Sequence, residues 1–140
     1  MLNNLLFSLF LLICAITDLI RGRIYLGVII CFGLLGILSF FLFPSFSLPE
    51  ALGGAALGVL LLALSHFSGG KIGSGDAFML MVSGFYLGIF ENLRFLMLGM
   101  LLAAALSILL LILKRVRRNT ALPFAPFLML SFAILKLFPM

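Results

Sequence analysis

Apolar residues fall in long, nearly unbroken runs along this chain, and the polar residues collect where the runs stop. Crossing the hydrocarbon of a bilayer takes about 20 helical residues, with a range of roughly 17–25. The first run of that kind covers Leu5–Ile20 and ends at Arg21-Gly22-Arg23. The second covers Ile24–Phe43 and is stopped by Pro44 and Pro49, and the third covers Leu48–Phe67. After a glycine-rich stretch come Ala77–Phe90, short for a span, and Leu93–Leu113, which ends at Lys114-Arg115-Val116-Arg117-Arg118. The last run, Ala121–Leu137, carries Pro123 and Pro126 near its start, where proline breaks or delays a helix.

Ala77–Phe90 would also suit a re-entrant hairpin, and the basic residues decide between the two readings. With six crossings and the amino terminus outside, Arg21, Arg23, Lys71, Lys114, Arg115, Arg117 and Arg118 all fall on the cytoplasmic side. Only Arg94 and Lys136 fall on the other. Without a crossing at 77–90 the Lys114–Arg118 cluster would face outward, against the positive-inside rule. The expectation is therefore an all-α polytopic membrane protein, a bundle of about six transmembrane helices forming one domain over residues 1–140. Gly54…Gly58 and Gly84…Gly88 fit GxxxG, a spacing that lets helix backbones approach closely. Packing inside one bundle is the expected use, and the oligomeric state is left open.

Composition supports the membrane and narrows the rest. Of 140 residues, 65% are hydrophobic and 9% charged, against about 25% charged in soluble domains; mean hydropathy is +1.41. The net charge of +5 sits at the ends of apolar runs, so it marks topology and anionic lipid rather than a nucleic-acid surface. Met-Leu-Asn-Asn lacks the basic start of a secretory signal, so the first run is expected to be a retained helix. Cys14 and Cys31 both lie in apolar runs and are expected to be buried small hydrophobes. His66 is the single histidine; with no CxxC pair, neither a metal nor an organic cofactor is expected. His66 and Lys71 read as interfacial anchors, Glu50 and Glu91 as solvated positions on the outer side.

Against this apolar background the chain carries two aspartates. Asp76 closes Gly69-Gly70-Lys71-Ile72-Gly73-Ser74-Gly75-Asp76, where the glycines leave little bulk around the carboxylate. Asp18 closes the first run. Carboxylates at membrane helices are costly and mark functional sites by default. The plain alternatives are that Asp18 pairs with Arg21 or Arg23 and that Asp76 caps the fourth helix. If the two carboxylates face each other in apolar surroundings they share one proton, leaving one acid and one base. Such a pair can drive water-mediated hydrolysis of a peptide bond without a covalent intermediate; it can equally serve as a proton relay in a transporter.

The glycine motif resembles the Gly-Gly-x-x-Gly-x-Gly-Asp signature of the type IV prepilin peptidases, a branch of the GxGD aspartyl membrane proteases. Asp18 before a basic turn is similar to the family's first catalytic aspartate, and Pro123-Phe124-Ala125-Pro126-Phe127-Leu128 is similar to its Pro-Phe-Gly-Pro-Phe-Leu. The resemblance implies a membrane aspartyl endopeptidase with Asp18 and Asp76 as the catalytic pair. It implies that the basic leader of a prepilin- or pseudopilin-like substrate is cut after a glycine, just before the substrate's hydrophobic helix. The site would lie near the cytoplasmic face of a multi-pass protein of the inner (cytoplasmic) membrane. Gly73 and Gly75 are expected to admit substrate, and Pro123 and Pro126 to shape its side of the site. Larger members carry an insert with paired CxxC motifs and N-methylate the new amino terminus; this chain has neither, so no methyltransferase activity is expected. It departs from the family where Ile24-Tyr25-Leu26 replaces Ile-Pro-Asn, where Phe78 replaces a lysine, and where Ala125 replaces a glycine. A small proton-coupled transporter and a non-catalytic assembly factor are the rival readings, although no inverted repeat or matched pair of broken helices favours a transporter.

Overall fold

A computed structural model describes residues 2–69, 73–113 and 123–138. The described residues form helices and connecting turns, with no strand: α1 (Leu2–Arg21), α2 (Leu26–Leu42), α3 (Leu48–Phe67), α4 (Ser74–Ile112) and α5 (Ala125–Leu137). Breaks fall where side-chain chemistry demands them. Gly22 adopts φ +61, and its N–H bonds the Asp18 carbonyl at 2.8 Å. That is the left-handed glycine cap of a helix C-terminus. Pro49 and Pro126 stand in the first two positions of α3 and α5, where a missing N–H costs nothing. The outer surface is apolar, with Phe67, Ile20 and Leu137 each at least 74% exposed. A soluble protein rarely carries so much exposed hydrocarbon.

Among the described residues three helices are long and apolar enough to cross a membrane: α1 over Asn3–Arg21, α3 and α4. The shorter α2 and α5 have 17 and 13 residues. The runs expected as separate fourth and fifth helices are two helical arms of α4, and the break between them falls at Gly88 rather than between Phe90 and Leu93. Gly88 takes φ 71 and ψ −178, a conformation open essentially to glycine alone. The Asn92 side-chain amide donates to the carbonyl of Leu80 at 3.2 Å, twelve residues earlier. In a straight helix those residues would be about 18 Å apart along the axis, so the chain doubles back at Gly88. The arms 74–87 and 89–112 therefore lie side by side.

Close packing holds the arms and α3 together. A Cβ on Gly84 would overlap the backbone of Gly54 and Ala55, and one on Gly58 would overlap Met81. The two GxxxG motifs thus meet each other inside the bundle. Asn92, fully buried, donates to the Gly54 carbonyl at 2.8 Å and accepts from Ser83 at 2.6 Å. These bonds satisfy polar groups where no water can. On the other side Phe7 of α1 is the hub, with ring centroids 5.2 Å from Tyr86, 5.7 Å from Phe95 and 4.9 Å from Phe132. Ser131 of α5 donates to the Phe95 carbonyl at 3.0 Å. Cys14 is buried as expected, whereas Cys31 is exposed on the outer, apolar surface of α2.

The bundle has two chemically different ends. At one, Glu50, Glu91 and Lys136 line a shared cavity near Gly88, and Lys136 pairs with Glu91 at 3.6 Å. The other end gathers the last turn of α1 and the first turns of α2, α4 and α5.

Candidate active site

Asp18 sits in the last turn of α1, 9% exposed. Gly22 bonds its main-chain carbonyl, while its side chain is held by another element altogether. The amide of Ala125, the first residue of α5, donates to Asp18 Oδ2 at 3.0 Å. Phe124 is the N-cap of α5 and supplies no side-chain cap, so the α1 carboxylate does what a capping residue would do. The alternative in which Asp18 pairs with Arg21 or Arg23 is not met: among the described residues Asp18 has no ion pair. Arg21 turns instead to Tyr25, bonding its hydroxyl and lying 5.3 Å over its ring.

Asp76 is the third residue of α4, inside its first turn, and not its cap; the N-cap is Gly73, with φ −62 and ψ 121. A carboxylate in the first turn suits the positive end of the helix dipole. Gly73 is required for space rather than for unusual dihedrals. A Cβ there would lie 2.7 Å from Asp76 Oδ2, so any side chain would push the carboxylate aside. A Cβ on Gly75 would lie 3.3 Å from Ile24, which seats the α1–α2 turn against the start of α4.

Asp18 and Asp76 open onto one cavity of about 510 Å³, whose lining also includes Arg23, Ile24, Leu26 and Phe78. Gly73 and Gly75 belong to the same lining. Pro123 and Pro126 do not; they flank Ala125, whose N–H reaches Asp18. Gly70, Lys71, Ile72, Ala121 and the Lys114–Arg118 cluster lie outside the described residues. His66 is exposed and lines a different cavity, with Ser65 and Gly69. The chemistry this arrangement offers is a pair of carboxylates at one end of an apolar bundle, one of them fixed by a main-chain donor, both opening onto the same cavity. Sequence reasoning missed the Ala125 amide, because a backbone donor leaves no side-chain signature. Leu26 and Phe78, visible in the sequence as departures from a family pattern, both line the cavity.

Fold and site define a multi-pass membrane protein that brings two carboxylates together at one end. The model of the Type IV leader peptidase family matches residues 5–112, a range holding both aspartates. The chain belongs to that family. The segment 123–128 lies beyond the matched range, so its place at the site rests on the Ala125–Asp18 bond. Neither a comparison with curated proteins nor one with solved structures returned a match.

Proposed function

We propose that this chain is an aspartyl endopeptidase that removes the basic leader of prepilin- or pseudopilin-like proteins, cutting after a glycine at the cytoplasmic face of the inner membrane. The observation that carries this reading is the shared cavity of Asp18 and Asp76 in a chain of this family. In the proposed reaction the ionised aspartate takes a proton from water as the water oxygen bonds to the scissile carbonyl carbon. The protonated aspartate gives its proton to the carbonyl oxygen. As the tetrahedral diol collapses, the carbon–nitrogen bond breaks. The first aspartate passes its proton to the departing amine, and the second recovers one from a diol hydroxyl. Every proton is accounted for within the pair. The Ala125 amide fixes one oxygen of Asp18, which supports a defined orientation of that carboxylate.

In this reading α4 crosses twice, once in each arm, giving six crossings with both termini outside. The chain acts as a peptidase without methyltransferase activity. Gly73 keeps space around Asp76 so that an extended substrate can reach it, and Pro123 and Pro126 present the Ala125 amide. The test is co-expression of the chain with a panel of tagged prepilin-like proteins, beside Asp18→Asn and Asp76→Asn. Wild type is expected to shorten a substrate at its glycine, and either substitution to abolish processing while the protein still accumulates in the membrane. Processing that survives either substitution refutes the two-aspartate mechanism.

A further inference from the structure

The first arm of α4 is the central helix of the bundle, and one stripe of it is only half-buried. Between Ala77 and Gly88 every residue is buried except Phe78, Met81 and Phe85. The neighbours of the arm explain the stripe. Val82 lies against Gly33 of α2 and Tyr86 against Gly36, while Met81 and Gly84 lie against Gly58 and Gly54 of α3. At about 100° per residue, Phe78 and Phe85 point between those two directions. α2 and α3 make no close backbone approach to each other. A groove therefore runs between them, with Phe78 and Phe85 as its floor.

Its α2 wall carries Leu26, Ile30 and Ile37, all within about 60° of Gly33 around the helix and each at least 37% exposed. None of these floor and wall residues is polar. An occupant within the bilayer must satisfy its own backbone groups, which a helix does and an extended segment does not. Leu26 and Phe78 also line the cavity of the two aspartates. The groove is thus continuous with the site, and a chain leaving a helix seated there enters the cavity directly.

We infer that the α2–α3 groove docks an apolar transmembrane helix of the substrate, with Phe85 as a specificity-determining contact. This rests on the peptidase reading above. The helix lies against Phe85 and Ile30, and the segment leaving it passes Phe78 and Leu26 in extended form to reach Asp18 and Asp76. Helix-in-groove recognition of this kind is read through contacts at successive turns.

The test uses the full chain carrying Asp76→Asn, so that substrate is bound but not consumed, with a photo-crosslinking benzophenone side chain at position 85. The control carries it at position 101, since Leu101 is 65% exposed on the second arm of α4. Crosslinking to a tagged prepilin-like substrate at 85 but not at 101 is the expected result. In the active chain Phe85→Ala is expected to raise KM about tenfold, equivalent to the loss of one good apolar contact, with kcat within about twofold and with Phe85→Leu restoring KM. Equal crosslinking at both positions, or crosslinking at 85 only to lipid or to a second copy of the chain, overturns the groove while leaving the peptidase intact. If the active chain processes no substrate, the peptidase reading falls and the groove assignment with it.

Discussion

Replacing Ala125 by proline removes one hydrogen-bond donor from the site and no side-chain bulk that faces it. The Ala125 amide is 3.0 Å from Asp18 Oδ2, and both residues are buried. Proline is well accepted at the first position of a helix, and Pro126 already follows. The local cost comes from Phe124, whose φ −92 and ψ −31 place it in the helical region that a following proline disfavours. A buried hydrogen bond of this kind contributes about 1–3 kcal/mol, the upper end applying when one partner is charged. If all of that is expressed in the transition state, processing slows by about 5- to 150-fold. Ala125→Gly keeps the N–H, fits a site where Ala125 is 0% exposed, and is expected to stay within about threefold of wild type, a helix-propensity cost near 0.5–1 kcal/mol being the main penalty. The assay is initial rate of leader removal in detergent or membranes, with intact fold checked by thermal unfolding. Full activity of folded Ala125→Pro would refute the argument that this amide positions Asp18.

Two glycine substitutions test the packing. Gly84→Ala places a methyl group inside the backbone of α3 and is expected to lose about 1–3 kcal/mol of stability through overpacking. Gly27→Ala meets nothing within 4 Å and should be neutral or stabilising by up to about 1 kcal/mol; thermal unfolding in detergent that ranks Gly84→Ala at or above wild type would contradict the contact. Gly88→Ala forces φ 71 and ψ −178 on a residue with a Cβ, at a cost of about 1–3 kcal/mol. Stability and processing are expected to fall together, and an unchanged melting temperature would count against the reversal at Gly88.

The helices were legible wherever the chain announces its own breaks. Arg21-Gly22-Arg23, Pro44 with Pro49, and the glycine-rich stretch each end or begin a helix within a few residues of where hydropathy places it. The turn inside α4 was misplaced because charge was the guide. Glu91 and Arg94 mark the polar end of a span, but the chain reverses at Gly88, whose dihedrals depend on Asn92, Ser83 and Gly54 meeting in three dimensions. Asp18 and Asp76 stood out because carboxylates are rare in this composition. What holds them did not stand out. A cap of α4 was the plain alternative for Asp76, yet Gly73 takes that position because the turn approaches in extended conformation. Asp18 was weighed against nearby arginines, yet its partner is a main-chain amide 107 residues away, a distance at which sequence spacing carries no information.

The reversal at Gly88 makes the site possible. A straight α4 of 39 residues would be about 58 Å long, nearly twice the roughly 30 Å of hydrocarbon in a bilayer. Its far end would then lie well away from Asp76 at its start. Doubling back brings residue 112 towards the end of the bundle where α4 began, so that α5 can start beside Asp18 and donate its first N–H. The same reversal sets Asn92 against Gly54 and Leu80, tying both arms to α3, and leaves the first arm central with α2 and α3 on its flanks. One glycine with φ 71 therefore underlies the anchoring of Asp18, the seating of α3 on α4, and the half-buried stripe through Phe78 and Phe85. The sharing of these features explains why the two aspartates lie at the end where α1 finishes and α4 begins, and why the polar cavity of Glu50, Glu91 and Lys136 lies at the other.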